Sequence, residues 1–170
     1  MAIMRNDIEK PILNDLEISE AHVFAKNFEG EEKKKNGKIV NSSGTRTFCV
    51  EIDPDIAQDL KNDGWNITMR INQEDNSMFC YLPVEVRFKP IRPVIYAITN
   101  DVKRSLDEDQ IHQLDHRNFS NVDLLIHPRV WFDEDENRWK VKAFLAEGWF
   151  YIKQSRFAEQ WENRHMGVEE

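Results

Sequence analysis

Hydrophobic residues in this chain recur mostly at alternate positions, in short runs bounded by polar or glycine-containing stretches, the period-two signature of half-buried β-strands. TRTFCVEI alternates strictly, with Phe48, Val50 and Ile52 on one face beside Arg46, against Thr45, Thr47, Cys49 and Glu51. Residues 17–28 also have β character. WNITMRIN and FCYLPVEVRFK predict a hairpin closed by QEDNSM, in which Trp65, Ile67, Met69 and Ile71 oppose Val86, Val84, Leu82 and Cys80. Its reverse face sets Arg70 beside Tyr81 and leaves Arg87 and Lys89 exposed, while Pro83, lacking an N–H, predicts an edge or a bulge. PVIYAIT, residues 93–99, is a further strand. VDLLIHPRVWF and RWKVKAFL predict another hairpin, joined by residues 133–136. The register that satisfies both alternations pairs Leu124 with Leu145, Ile126 with Ala143 and Val130 with Trp139. On its other face Leu125 meets Phe144, His127 meets Lys142, Arg129 meets Lys140 and Trp131 meets Arg138. GWFYIK gives a last strand.

Helical signals are fewer. Asp53 is an N-cap, Pro54 suits the first helical position, Ile56, Ala57 and Leu60 make an apolar stripe and Gly64 can close it, predicting a helix over 54–63. Ser105 and Glu108 read as a capping box before a helix running to about Asp115; its sparse apolar residues Leu106, Ile111 and Leu114 predict a surface position. Phe157 and Trp161, spaced i,i+4, predict a C-terminal helix. Residues 30–44 form a long polar loop with three glycines. The whole is a mainly β chain, an elaborated barrel or sandwich of antiparallel strands with two or three short helices rather than a βαβ fold. At 170 residues and 40% apolar content it suits one compact domain. The expected organisation is an N-terminal arm over 1–16, the domain over 17–153, and a C-terminal helix with an acidic tail over 154–170.

Composition narrows the function. No apolar run approaches the roughly 20 residues that span a bilayer, and MAIMRNDIEKP lacks the hydrophobic core of a secretory signal, so a cytoplasmic protein without membrane contact is expected. Cys49 and Cys80 lie in alternating strands without a CxxC partner and read as buried thiols with no disulfide. A net charge of −8 argues against a generic polyanion binder. The charge is uneven, however. Residues 65–104 are net basic, and four of the six acids in 122–153 sit together at the hairpin tip, leaving the strand bodies positive.

Those strand bodies carry the candidate chemistry. Arg129, Arg138, Lys140 and Lys142 around Trp131 and Phe144, with Arg70 beside Tyr81 on the other hairpin, suit a single nucleic-acid strand whose bases stack on rings while cations meet phosphates. The competing reading is that these rings cover another layer while the cations solvate the rim. Lys33, Lys34, Lys35 and Lys38 in the glycine-containing loop are a second candidate, since the loop between the first two strands of small oligonucleotide-binding barrels helps clasp the ligand; Glu29, Glu31 and Glu32 beside them suit a merely solvated loop. The acidic turn would repel phosphate, which places any strand across the hairpin body. His112 and His116 are spaced i,i+4 but have neither HExxH nor a cysteine pair to complete a metal site. Asp55 suits a helix's first turn, and no carboxylate cluster supports two-metal nuclease chemistry. No GxSxG, P-loop or dinucleotide fingerprint occurs, so neither an enzyme nor a cofactor is expected.

AKNFEG, NSSGTRTFCVEID, DLKNDGWNI, VDLLIHPRVWF and KAFLAEGWFYI, in that order over roughly residues 20–153, resemble the small single-stranded DNA-binding proteins encoded by tailed bacteriophages. The resemblance implies an OB-like barrel, single-stranded DNA as ligand, and a role in replication or recombination alongside proteins of those processes. It carries over the basic loop and the cationic strands: Arg46, Arg70, Arg87, Arg129, Trp131, Arg138, Lys140 and Lys142. The C-terminal GVEE offers only Glu169 and Glu170 and no terminal aromatic, a departure from the acidic recruiting tails of such proteins. The alternative function is a protein-interaction module, phage or host-modulating, that uses the same aromatic face as a partner or subunit interface. Homo-oligomerisation is open in either case.

Overall fold

The computed structural model describes residues 9–154. In chain order these form β1 (Leu16–Ile18), β2 (Val23–Asn27), β3 (Lys33–Lys35), β4 (Lys38–Asn41), β5 (Arg46–Ile52), helix α1 (Pro54–Asn62), β6 (Thr68–Ile71), β7 (Met78–Val86), β8 (Val94–Thr99), β9 (Val102–Ser105), a 3-10 helix (Ile111–His116), β10 (Phe119–Asp133) and β11 (Arg138–Ile152). Nine strands make one sheet whose main path runs β1-β10-β11-β7-β5-β2, and β3 with β4 makes a separate ribbon. The two ends of that path are consecutive strands of one stretch of chain. The sheet therefore rolls into a partly open, OB-like barrel joined through the chain rather than through a ladder. Ala21 N–H donates to the Val122 carbonyl at 2.8 Å and Glu51 N–H to the His22 carbonyl at 2.9 Å, anchoring the link on both sides. The pairing is antiparallel except that β11 runs parallel to β7 and to β8.

The alternation fills this barrel. Phe48, Val50 and Ile52 of β5, Leu82 and Val84 of β7, Leu124 and Ile126 of β10 and Phe150 of β11 are all buried in one core cluster. Phe150 meets Phe119 at 5.2 Å, Phe28 at 5.6 Å and Phe48 at 6.4 Å, so the aromatic centre touches strands on both sides of the open seam. Gly148 makes room for it: a Cβ there would stand 2.6 Å from Cε2 of Phe150. Helix α1 begins as its sequence predicts, with the Asp53 carboxylate accepting the Asp55 N–H and Gly64 at φ +105° ending the turn.

Several sequence expectations need correction. Both hairpins keep the parity of their predicted faces, although Ile71 at the end of β6 is exposed rather than in the core, but slide by two residues: Ile126 pairs with Leu145 and Trp131 with Lys140, and Met69 pairs with Cys80 and Arg70 with Phe79. Alternation defines parity only; the turn chooses among registers of equal parity. At one tip Asp133 Oδ1 accepts the N–H groups of Asp135 and Glu136 and Asn137 takes φ +52°, so the turn is 134–137 and Asp133 joins the ladder opposite Arg138. At the other, Asn72 and Ser77 close the turn, and Trp65 and Ile67 leave β6 for the core, where Trp65 bridges Val141. GWFYIK is no separate strand but the continuation of β11 past a register break between Leu145 and Glu147 that leaves Ala146 unpaired. Residues 30–44 are not simply loop, since β3 and β4 form within them.

Pro83 lies in an interior strand, at the point where β7 changes its flanking partner from β6 to β11, a local gap in the ladder that suits a residue without an N–H. Ser105 remains in β9, and the predicted capped helix is a 3-10 helix starting at Ile111. Its neighbourhood is not superficial: Leu106, Ile111 and Leu114 all enter the core and plug the barrel, and Asp115 accepts the Phe28 and Glu29 N–H groups at 2.7 and 2.9 Å. The predicted C-terminal helix and acidic tail lie outside the described residues.

Candidate nucleic-acid interface

The residues of β10 and β11 that turn away from the core form an outer face in which Trp131 stands across from Lys140, Arg129 from Lys142, and His127 from Phe144. Trp131 is 43% exposed, with Lys140 Nζ 5.8 Å from its ring centroid, within cation–π range. Phe144 is flanked by two guanidiniums, Arg87 at 5.3 Å and Arg129 at 5.6 Å. It therefore organises arginines more than it offers an open ring. Because Phe144 lies beside Glu85, this face continues onto β7 and the residue after it, where Tyr81, Pro83, Glu85 and then Arg87 alternate outward over about 20 Å at ~3.3 Å per residue.

At the far end of that row the Arg70 guanidinium sits 5.9 Å from the Tyr81 ring. Phe24 and Phe79 complete an aromatic group there, with Phe24 5.4 Å from Tyr81 and 5.5 Å from Phe79. Neither residue emerges from the sequence reading. Phe79 could have, being two positions before Tyr81 on an alternating strand. Phe24 is masked by a register break before Asn27, with Ala25 at φ +50°, which sends Phe24 outward and Phe28 inward although their spacing implies one face.

Carboxylates compete for the cations. Lys140 bonds Asp133 at 2.7 Å and Glu136 at 2.8 Å, and Glu136 also holds Arg138 at 2.8 Å. These contacts, the Asp133 hydrogen bond foremost, raise the Lys140 pKa, while Lys140 holds the Asp133 and Glu136 carboxyls below their ordinary range. Asp133 and Glu136 thus stay ionised near neutral pH and cover two of the predicted cations. Trp131 consequently faces Lys140, not Arg138 as the unslid register implies. Glu85 takes Arg87 at 3.3 Å and Lys142 at 3.7 Å. Among the described residues Arg70 and Arg129 have no carboxylate partner.

The remaining candidates lie apart. Arg46 turns to the core side of β5, pairing with Glu108 at 3.1 Å and lying 5.7 Å from the Phe88 ring; the same alternation that buries Phe48 takes it off the outer face. Lys33, Lys34 and Lys35 stand exposed on the β3–β4 ribbon, where Lys33 pairs with Glu31 and Lys34 with Glu32. The base of that ribbon is fixed: Asn27 Oδ1 accepts the Gly30 and Glu31 N–H groups, and Asn41 Nδ2 donates to the Glu31 and Thr45 carbonyls. It rises from the end of β5 whose Thr47 lies opposite Glu85, the same end of the sheet as Phe144.

Cys49 is half-buried and Cys80 buried; both are free, and burial raises both thiol pKa values. Among the described residues no group of three or more His, Cys, Asp and Glu side chains is placed to hold a metal, and no helix is long and apolar enough to cross a membrane.

An OB-like barrel with rings and cations sharing one outer face has the form of a single-strand-binding protein. The chain matches the family described as "Putative phage ssDNA-binding domain" over residues 5–167, and it belongs to that family; single-stranded DNA is its ligand. Among solved structures it is similar to the single-stranded DNA-binding protein from bacteriophage Enc34 in complex with ssDNA, at 10% identity over 88% of this chain and 97% of that one, with a TM-score of 0.49. A second structure of that Enc34 protein matches at 9% identity over 88% and 91%, TM-score 0.49, and its C-terminal truncation at 7% over 83% and 87%, TM-score 0.48. No curated protein matches the chain.

Proposed function

We propose that the protein coats single-stranded DNA without sequence preference during phage DNA replication or recombination, in the host cytoplasm, with neither catalysis nor a cofactor. The observation that carries this reading is that the exposed Trp131 and the half-buried Tyr81 both lie beside cations on one continuous outer face. Every base has a π-face, so stacking on these rings tolerates sequence. In this proposal Trp131 and Tyr81 stack bases, Arg70, Arg87, Arg129 and Lys142 take phosphates, and Phe144 holds two of those arginines in place. Lys33, Lys34 and Lys35 reach the strand from the ribbon. Arg138 and Lys140 act as a reserve that must leave the acidic turn to engage.

That reserve gives the test. Glu136→Gln frees Arg138 and loosens Lys140, so it is expected to strengthen binding of a short oligothymidylate several-fold. It should also steepen the salt dependence, by about 0.7 in log K against log salt for each cation that newly meets a phosphate. Fluorescence anisotropy across a salt series reads both. An unchanged slope and affinity would place the acidic turn, and Trp131 beside it, off the DNA path. One feature favours the partner-interface reading as an additional role: Ile71, Met78 and Phe79 are exposed together at the β6–β7 end. Salt-insensitive self-association in gel filtration, abolished by Ile71→Lys, would support it.

A further inference from the structure

Between the segment joining β7 to β8 and the outer face of the β10–β11 hairpin lies a groove of about 400 Å³, within the size range of small-ligand sites, roughly 300–1,000 Å³. Its walls are apolar: Pro90, Ile91 and Pro93 on one side, Phe144, Leu145 and Ala146 on the other. Ala146 is the unpaired residue at the register break of β11, and such bulges re-aim side chains beside binding sites. Cations surround the opening. Arg87 and Arg129 come from the outer face already described, while Lys89 and Arg92 come from the β7–β8 segment. Arg92 is tied to Asp107 and Arg87 to Glu85, whereas Lys89 and Arg129 have no carboxylate partner among the described residues. Ile91 is 83% exposed, held between two prolines and flanked by two cations.

Apolar walls under a cationic rim fit a ligand with a flat, weakly polar body and an anionic edge. We propose that this groove takes one unstacked nucleotide of the bound strand, its base between the walls and its phosphates on Lys89 and Arg129. The inference rests on the reading of the outer face as the DNA path, since Arg87, Arg129 and Phe144 belong to both. A strand leaving that face next to Phe144 meets the groove past two carboxylates that already have partners, Glu85 with Arg87 and Lys142, and Asp15 with His127 of the groove wall. An acidic peptide shares the charge but lacks this continuity.

The test uses the full chain and a fluorescein-labelled oligothymidylate of the shortest length that binds fully, with one abasic residue moved along it. In the wild type an abasic residue at one position should weaken binding about tenfold, within the range of a lost base contact. Ala146→Phe, which fills the groove, should weaken binding of the intact oligonucleotide by a similar factor and remove the penalty at that position. Ile91→Asp, at a side chain the fold does not use, should also cost about tenfold and guards against misfolding of the first variant. Should Trp131→Ala weaken binding while both groove variants bind like the wild type and the abasic scan is flat, the groove proposal fails and the outer-face reading stands. If the groove variants lose binding while Trp131→Ala is neutral, the groove is supported and the indole, with the hairpin tip around it, leaves the binding surface. Displacement from the groove by an acidic peptide, with DNA affinity unchanged in both variants, would also overturn the proposal.

Discussion

Trp131→Ala is expected to weaken binding of short single-stranded DNA by roughly ten- to a hundredfold, the effect of removing one stacking ring worth about 1–3 kcal/mol. The indole is exposed on the outer face and contributes nothing to the core cluster, so the melting temperature should stay close to wild type. Lys140, 5.8 Å from that ring, loses its aromatic neighbour but keeps its Asp133 and Glu136 partners, so the loss reports the ring and not a charge. Trp131→Phe should recover much of the affinity. Anisotropy with an oligothymidylate reads all three proteins, and equal affinities for wild type and Trp131→Ala would remove the indole from the binding surface.

Phe150→Ala should be the most damaging single change to the fold, costing about 3–5 kcal/mol as expected for a fully buried phenylalanine. That is a large share of the roughly 5–15 kcal/mol that holds a typical domain together. Its position makes the cost structural as well as local. Phe150 contacts Phe28 after β2, Phe48 on β5 and Phe119 on β10, elements on both sides of the seam that no ladder among the described residues closes. Urea unfolding followed by circular dichroism should show a lower midpoint, with DNA affinity retained by the fraction that remains folded. A change below about 1 kcal/mol would mean that the site repacks and the aromatic centre does not hold the seam.

The faces of the strands are legible in the sequence because period-two alternation reports burial directly. Trp131, Arg129, Lys142 and Phe144 fall on the outer face as their parity demands. Register is not legible in the same way. The two-residue slides at Trp131 and Arg70 arise from side-chain turns at Asp133 and Asn72, which alternation cannot weigh. The failed helix after Ser105 shows local signals losing to burial: Leu106, Ile111 and Leu114 are too few for an amphipathic stripe but are the right residues to plug a barrel. The candidate site is partly legible for the same reasons. Cation identity can be read from the sequence, but the ion pairs that cover Arg138 and Lys140 depend on the turn, and the inward direction of Arg46 follows from its sharing a face with Phe48. Lys89 and Arg92 join the groove only because the segment between β7 and β8 folds back over β11.

The most direct test of the central claim is a titration of the 15N-labelled protein with a short oligothymidylate, following the indole N–H resonances. DNA on the outer face should move the Trp131 resonance, accompanied by backbone shifts along Tyr81 to Arg87 and Arg129 to Lys142, and leave buried Trp65 nearly still. A saturating titration in which Trp131 does not respond, while shifts gather on the β8–β9 side around Trp149, would contradict it.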